Sequence, residues 1–398
     1  MPAASRLPVE SSRVASIDAA RGAAMLFVCL AHFANSYLFV SGADDVGVYV
    51  VRVSMLASPT FVTVSGLVAG FLAVTRTSSF TRLRRKLLDR GAFLLLVGHG
   101  VLALSGVATG QGFATAYRVG YITDAIGFAV MVGPWLVASV RPRSRLLLAA
   151  LVFALSWCAV FWWMPHEAIA AGVKHYFIGN QNPGDFTRGN FPLIPWLAVY
   201  LAGTVIGERL GNYYVGKKEG RGHLFLARVG IVSIGLAMAV KIGEILFRNS
   251  VPVFTQVHPD VVSFLSSYQK FPPGPFYVTF FGGVGIVLVA GILEAGRRGM
   301  QPLLLNQLRQ IGLASLFIYI LEFYLYGVVF RGLRLPYTPL WPVLFLVSIV
   351  ILAKAAASWN EREGNRYLTV GIDPFLKWNE RRRLTLGTGK VRLDAPIT

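Results

Sequence analysis

Charge is scarce in this sequence, and acid is scarcer still. Charged residues fill 14% of the 398 positions, against about 25% in a soluble globular domain. Only 19 are Asp or Glu, against 38 Lys or Arg, which leaves a net charge of +19. That excess could suggest nucleic acid, but a basic nucleic-acid domain is not 55% hydrophobic. Anionic headgroups account for it better, so membrane lipids and no nucleic acid are the expected contacts. Cysteine is almost absent. Cys29 and Cys158 both lie inside apolar runs, define no disulfide framework or metal motif, and read as helix packing. The loop histidines His166, His175, His223 and His258 have no metal-ligand spacing, so no metal is expected. There is no low-complexity segment, and no clear internal repeat of the kind that marks many transporters. A cleavable leader is not expected either: the first apolar run, Gly22 to Val40, is too long, and no small-residue cleavage site follows closely.

What is present is length of apolar run. Mean hydropathy is +0.57, and several stretches reach the ~20 residues that cross ~30 Å of hydrocarbon. Ten helices are expected, at roughly 20–40, 55–75, 91–108, 122–140, 146–164, 192–209, 224–246, 276–294, 309–330 and 338–357. With the N-terminus inside, the inner segments, counting a tail from Lys354 to Arg392, hold 28 Lys and Arg, and the outer ones hold eight. An error of one helix would scramble that alternation, so the positive-inside rule supports both number and orientation. The expected fold is therefore an all-α integral membrane protein, a polytopic bundle with both termini cytoplasmic, in the cell (inner or plasma) membrane. Residues 1–360 form the helical domain, and 361–398 a basic cytoplasmic tail that reads as a membrane-surface segment. No soluble domain is left over, since the longest outer loops are about 165–191 and 247–275. Chemistry must sit between helices or in these loops.

The first helix carries the most informative pattern. Arg21 and His32 are eleven residues apart, within ~20° of three full turns, so both point to one face with a rise of ~16 Å between them. An ionisable residue inside a span is a functional candidate by default. The structural alternative is an arginine snorkelling to headgroups and a histidine hydrogen-bonded in the bundle. Asp18, one turn before Arg21, either orients that arginine or caps the helix with Ser16.

The Arg21-to-His32 spacing, with Ile17-Asp18-x-x-Arg21-Gly22 around it, resembles the transmembrane acyltransferase superfamily. That group takes in acyltransferase family 3, the glucan succinyltransferases and the heparan-α-glucosaminide N-acetyltransferase-like proteins. Five further stretches are similar to its motifs, in the same order. They are Ser65-Gly66 on the second helix, the basic run Arg82-Leu-Arg-Arg85-Lys86, Phe191-Pro-Leu-Ile-Pro195-Trp196, Lys270-Phe-Pro272-Pro273, and Gly312-Leu-Ala-Ser315-Leu. One departure leaves the branch open: many relatives have His at the position held here by Glu322.

The resemblance implies an acyl-CoA-dependent acyltransferase. The donor would be cytoplasmic acyl-CoA, acetyl-CoA foremost, and the acceptor a hydroxyl or amine of an envelope glycan or glycolipid. His32 would be the general base or carry the acyl group covalently, with Asp18 assisting. Arg21, Arg82 and Arg85 face the donor's compartment and suit its phosphates. Ser65 and Gly66 either pass the pantetheine arm or let helices pack closely. Asp124, at the start of the fourth span, and Glu322, near the outer end of the ninth, are the acceptor-side candidates. Asp124 could equally cap its helix. His99 is a further candidate lining residue. Lys241 and Glu244 read as an ion pair. Trp162, Trp163, Tyr176, Phe177, Phe186, Trp196 and Tyr268 read mainly as interface aromatics. The acyl group, the acceptor and the oligomeric state, a homodimer included, are left open. So are a transporter of a small metabolite or lipid-linked sugar and a non-catalytic descendant of such enzymes.

Overall fold

The computed structural model describes residues 9–180, 190–216, 218–250 and 268–371. Phe186, His258 and the tail beyond Gly371 therefore lie outside the described residues. Among the described residues there are ten helices long and apolar enough to cross a membrane. They are α1 (Ala15–Leu38), α2 (Asp44–Thr75), α3 (Thr77–Ala108), α4 (Ile122–Ser139), α5 (Pro142–Trp162), α6 (Leu193–Val215), α7 (Gly222–Leu246), α8 (Pro275–Arg297), α9 (Ser315–Leu333) and α10 (Trp341–Glu361). No strand occurs among the described residues. The chain is an all-α bundle, as its apolar runs require: in hydrocarbon only helices and closed barrels satisfy every backbone group internally.

Several boundaries differ from the sequence reading. α2 begins at Asp44 rather than 55 and α3 at Thr77 rather than 91, so the basic run Arg82–Lys86 is helical rather than a loop. The first helix begins at Val9 and runs unbroken to Phe33. Asp18 is thus about two and a half turns inside it, and the capping role considered for Asp18 falls away. The expected ninth span, 309–330, is two pieces. A separate helix, Pro302–Leu313, ends at Ala314, and α9 starts afresh at Ser315. The separate helix carries Asn306, Gln307, Arg309 and Gln310, too polar a set to continue a span.

The centre of the bundle is α1, α2 and α6, each two-thirds buried over its apolar window, whereas α7 and α10 are 11% and 17% buried and stand at the edge. Close packing at the centre comes from glycine. Gly66 and Gly70 of α2 face Tyr200 and Thr204 of α6, and Gly203 and Gly207 of α6 face Thr63 and Leu67 of α2. A Cβ at any of these four would run into the opposing backbone. This is the small-xxx-small contact by which membrane helices gain packing without a hydrophobic driving force. Gly22 of α1 and Gly312 of the Pro302–Leu313 helix make a second such crossing.

Arg145 explains how α5 is attached. Fully buried, it donates to Thr204 Oγ1 and Glu208 on α6 and to the carbonyls of Val137 and Val140 at the end of α4. One guanidinium ties three helices, because a buried charge persists only when its donors are satisfied.

Candidate active site

The elements enclose a cavity of about 270 Å³ lined from α1, α2, α3, α4, α6 and α9 and from the segment before α8. At one end are Arg21, Arg90 and Asn365; at the other are Lys270 and Phe191; His32 is on the wall. Ten alternating spans put the start of α1 and the start of α8 on opposite membrane faces. Lys270 precedes α8, so it and Arg21 mark opposite ends of the cavity, with His32 between.

His32 is not isolated. Its Nδ1 lies 2.7 Å from Glu322 Oε1 on α9. The Glu322 side chain is fully buried, while that of His32 is 28% exposed. A carboxylate holding Nδ1–H fixes the tautomer that leaves Nε2 an acceptor, and Nε2 is the nitrogen left for the cavity. The imidazole is wedged edge-on between Tyr319 and Phe323, at centroid distances of 5.8 and 5.1 Å. Eleven residues earlier on the same face, Arg21 donates to Ser315 Oγ over 2.8 Å and sits 3.7 Å from Asp18 Oδ1. Ser315 and Glu322 are seven residues apart, nearly two turns, and so share a face of α9. The faces of α1 and α9 are thus stitched at both levels. Immediately beyond His32 and Glu322 the helices widen into π turns, Ala34–Leu38 and Leu325–Phe330. A third π turn, Leu94–Gly98, precedes His99 on α3. Such bulges are frequent at functional sites.

The remaining candidates fall on either side of the cavity wall. Ser65 lines the cavity and donates back to the Phe61 carbonyl; Gly66 is the packing contact against α6. On α3 the cavity-facing positions are Leu83, Leu87, Arg90 and Leu94, a helical stripe that leaves Arg82 and Arg85 on other faces. Arg82 is exposed. The arginine that α3 brings to the cavity is Arg90, four residues past the basic run. Asp124, expected beside the acceptor, is fully buried. It accepts from the Tyr121 backbone N–H and lies 2.9 Å from His99 Nδ1, while His99 Nε2 lies 2.9 Å from the Tyr117 carbonyl. The pair closes the start of α4 against α3, and neither member is among the lining residues. Glu322, also expected on the acceptor side, is instead behind His32. Lys241 and Glu244 pair at 2.9 Å. Trp162 and Trp163 are exposed, as interface aromatics should be, but Trp196 is fully buried.

Two lining residues escaped notice as site residues. Lys270 has its Nζ 5.2 Å from the ring centres of both Phe191 and Phe271, and burial pulls its ammonium down to about 8 from the ordinary 10.5. Asn365 lies in a turn after α10, Gly364–Tyr367. It donates to the Leu313 carbonyl and accepts from Trp359 Nε1. Leu368 is buried and the Val370 N–H donates to Asp89 beside Arg90, so residues up to Val370 pack with the helical domain rather than as a free tail.

The family model described as heparan-alpha-glucosaminide N-acetyltransferase, catalytic, matches residues 13–230. That stretch is more than half the chain and runs from before Asp18 into α7. The chain belongs to this family. Membership places it among membrane acetyltransferases of the larger superfamily, and the matched stretch includes both Arg21 and His32 on α1. The match ends before Lys270, Ser315 and Glu322, so the carboxylate partner of His32 comes from outside the matched region. Comparison with curated proteins finds no match.

Proposed function

We propose that the protein moves an acetyl or similar small acyl group from acyl-CoA to a hydroxyl or amine of an envelope glycan or glycolipid, with His32 as general base. The observation that carries this reading is the buried Glu322 carboxylate 2.7 Å from His32 Nδ1 on the wall of a cavity with guanidinium groups at one end. The cavity, at about 270 Å³, is just below the ~300–1,000 Å³ of drug-sized ligand sites. It suits a pantetheine arm and a short acyl group, with the nucleotide end of the donor left at the mouth near Arg21 and Arg90. The excess of Lys and Arg on that side supports a cytoplasmic mouth, where acyl-CoA is, with both chain ends on the same side; the membrane in this reading is the cell membrane.

In the reaction the acceptor O–H or N–H gives its proton to His32 Nε2 as its heteroatom attacks the thioester carbonyl carbon. The C–S bond then breaks, and the departing thiolate takes the proton back from Nε2. Glu322 stays ionised throughout and stabilises the imidazolium. Asp18 and Ser315 hold Arg21 in place for phosphate.

The test is CoA release by the purified protein with acetyl-CoA and candidate glycans. His32→Ala should remove turnover. Glu322→Gln, which keeps the shape and loses the charge, should cut kcat by about 10²-fold or more with the melting temperature little changed. Equal turnover by wild type and His32→Ala would sink the reading, and so would acyl-CoA-independent substrate flux in proteoliposomes. An acetylated His32 peptide after incubation with acetyl-CoA alone would replace the base with a covalent carrier.

A further inference from the structure

The charges that line the cavity are all of one sign. Arg21, Arg90 and Lys270 are there along with His32, and not one of the lining residues is Asp or Glu. The nearby acids stand behind the wall, Asp18 against Arg21 and Glu322 against His32. At the donor end two guanidinium groups close enough to feel each other's charge fit a polyphosphate. The opposite end holds a separate cation, and the donor's phosphates cannot serve both: Arg21 and His32 alone are already ~16 Å apart along α1.

Lys270 has no carboxylate partner among the described residues. Its Nζ rests instead over Phe191 and Phe271, whose rings meet edge to face at 4.8 Å. Aromatic faces steady an ammonium but leave its charge uncancelled. The first turns of α6 and α8, at Leu193 and Pro275, flank this end and add potential of the same sign.

We propose that Lys270 is an anion site for the acceptor, binding a carboxylate or phosphate that the acceptor carries beside the group to be acylated. This rests on the acyl-transfer reading above, which supplies the acceptor. An uncharged acceptor would leave the ammonium without an opposite charge, and a cationic one would be repelled by every charge on the wall. The depressed proton affinity of Lys270 is what a partly buried cation with no opposite charge beside it shows, and a bound anion would restore it.

Labelling of the full-length protein by an amine-acylating reagent, read by mass spectrometry at Lys270, tests the site without any turnover. A bound anion both covers the amine and keeps it protonated, so it slows labelling. Glucose 6-phosphate, glucuronate or both should slow Lys270 severalfold while glucose does not, with the exposed Lys86 unaffected by any of them. Protection by the phosphate alone, the uronate alone or both tells which anion the acceptor bears. The thermal stabilisation that the protecting anion gives should persist in Lys270→Arg and vanish in Lys270→Gln. If neither anion slows Lys270, or glucose slows it equally, the anion site is wrong. That failure alongside His32-dependent CoA release would leave acyl transfer standing; loss of His32 dependence with protection intact would sink acyl transfer alone.

Discussion

Lys270 gives the site its clearest pH signature. An ordinary lysine holds its proton to about 10.5, and burial lowers this one to about 8. Below 8 both the folded and the unfolded chain are protonated, and the cost of the buried charge is present in full. Between 8 and 10.5 the unfolded chain binds a proton that the folded chain has released, so folding stability rises with pH across that window. Without added anion, the melting temperature of the wild type should therefore gain on that of Lys270→Gln as pH is raised from 8 towards 10. The stabilisation given by glucose 6-phosphate should move the other way, falling as Lys270 loses its charge. A wild-type-to-variant difference that stays flat with pH would mean that Lys270 is fully hydrated. Residues of this kind are poorly legible in a sequence. Arg21 and His32 declared themselves because they share a helix, where spacing converts to direction. Lys270 and Asn365 reach the cavity only through the way loops return to the bundle. Glu322 was visible as an ionisable group in a span, but its partner is 290 residues away and no periodicity connects them.

Helices fared better than residues because hydrocarbon leaves so few options. An apolar run of sufficient length must be a helix, and all ten runs are. What hydropathy could not mark was the break at Ala314, since the helix before it carries enough Leu and Ile to merge with α9. It also could not decide Ser65-Gly66 between passage and packing. The structure divides the two: the serine faces the cavity and the glycine faces α6. The α2–α6 contact makes a direct prediction. Gly207 approaches the Leu67 carbonyl so closely that a methyl group has no room. Gly207→Ala should force the two helices apart at a cost of about 1–3 kcal/mol, read as a lower melting temperature in detergent. Gly291→Ala, where nothing lies within 4 Å of the added Cβ, should be neutral by the same measure. Equal effects from the two would mean that the glycine contact does not set the spacing of the core.

For the molecule as a whole, function depends on which end of the cavity meets which compartment. The asymmetry of the basic residues predicts an orientation in which Arg21 and Arg90 open to the side that holds acyl-CoA, and Lys270 to the other. The alternation of spans assigns each loop a face. Gly220, between α6 and α7, and Gly371, after α10, belong on the Arg21 side; Gly42, between α1 and α2, and Gly110, between α3 and α4, belong on the Lys270 side. None of Gly42, Gly220 and Gly371 has an atom within 4 Å of an added Cβ, so a cysteine has room at each; at Gly42 and Gly371 the positive φ makes the change mildly strained. With the exposed Cys158 removed and Cys29 left buried, single cysteines at these three places, and one at Gly110, which is equally open and also of positive φ, can be labelled in intact cells by a membrane-impermeant maleimide. Positions 42 and 110 should react at once, and 220 and 371 only after the membrane is opened. The reverse pattern would place the guanidinium end outside, away from the acyl-CoA pool, and the donor would then have to enter past Lys270.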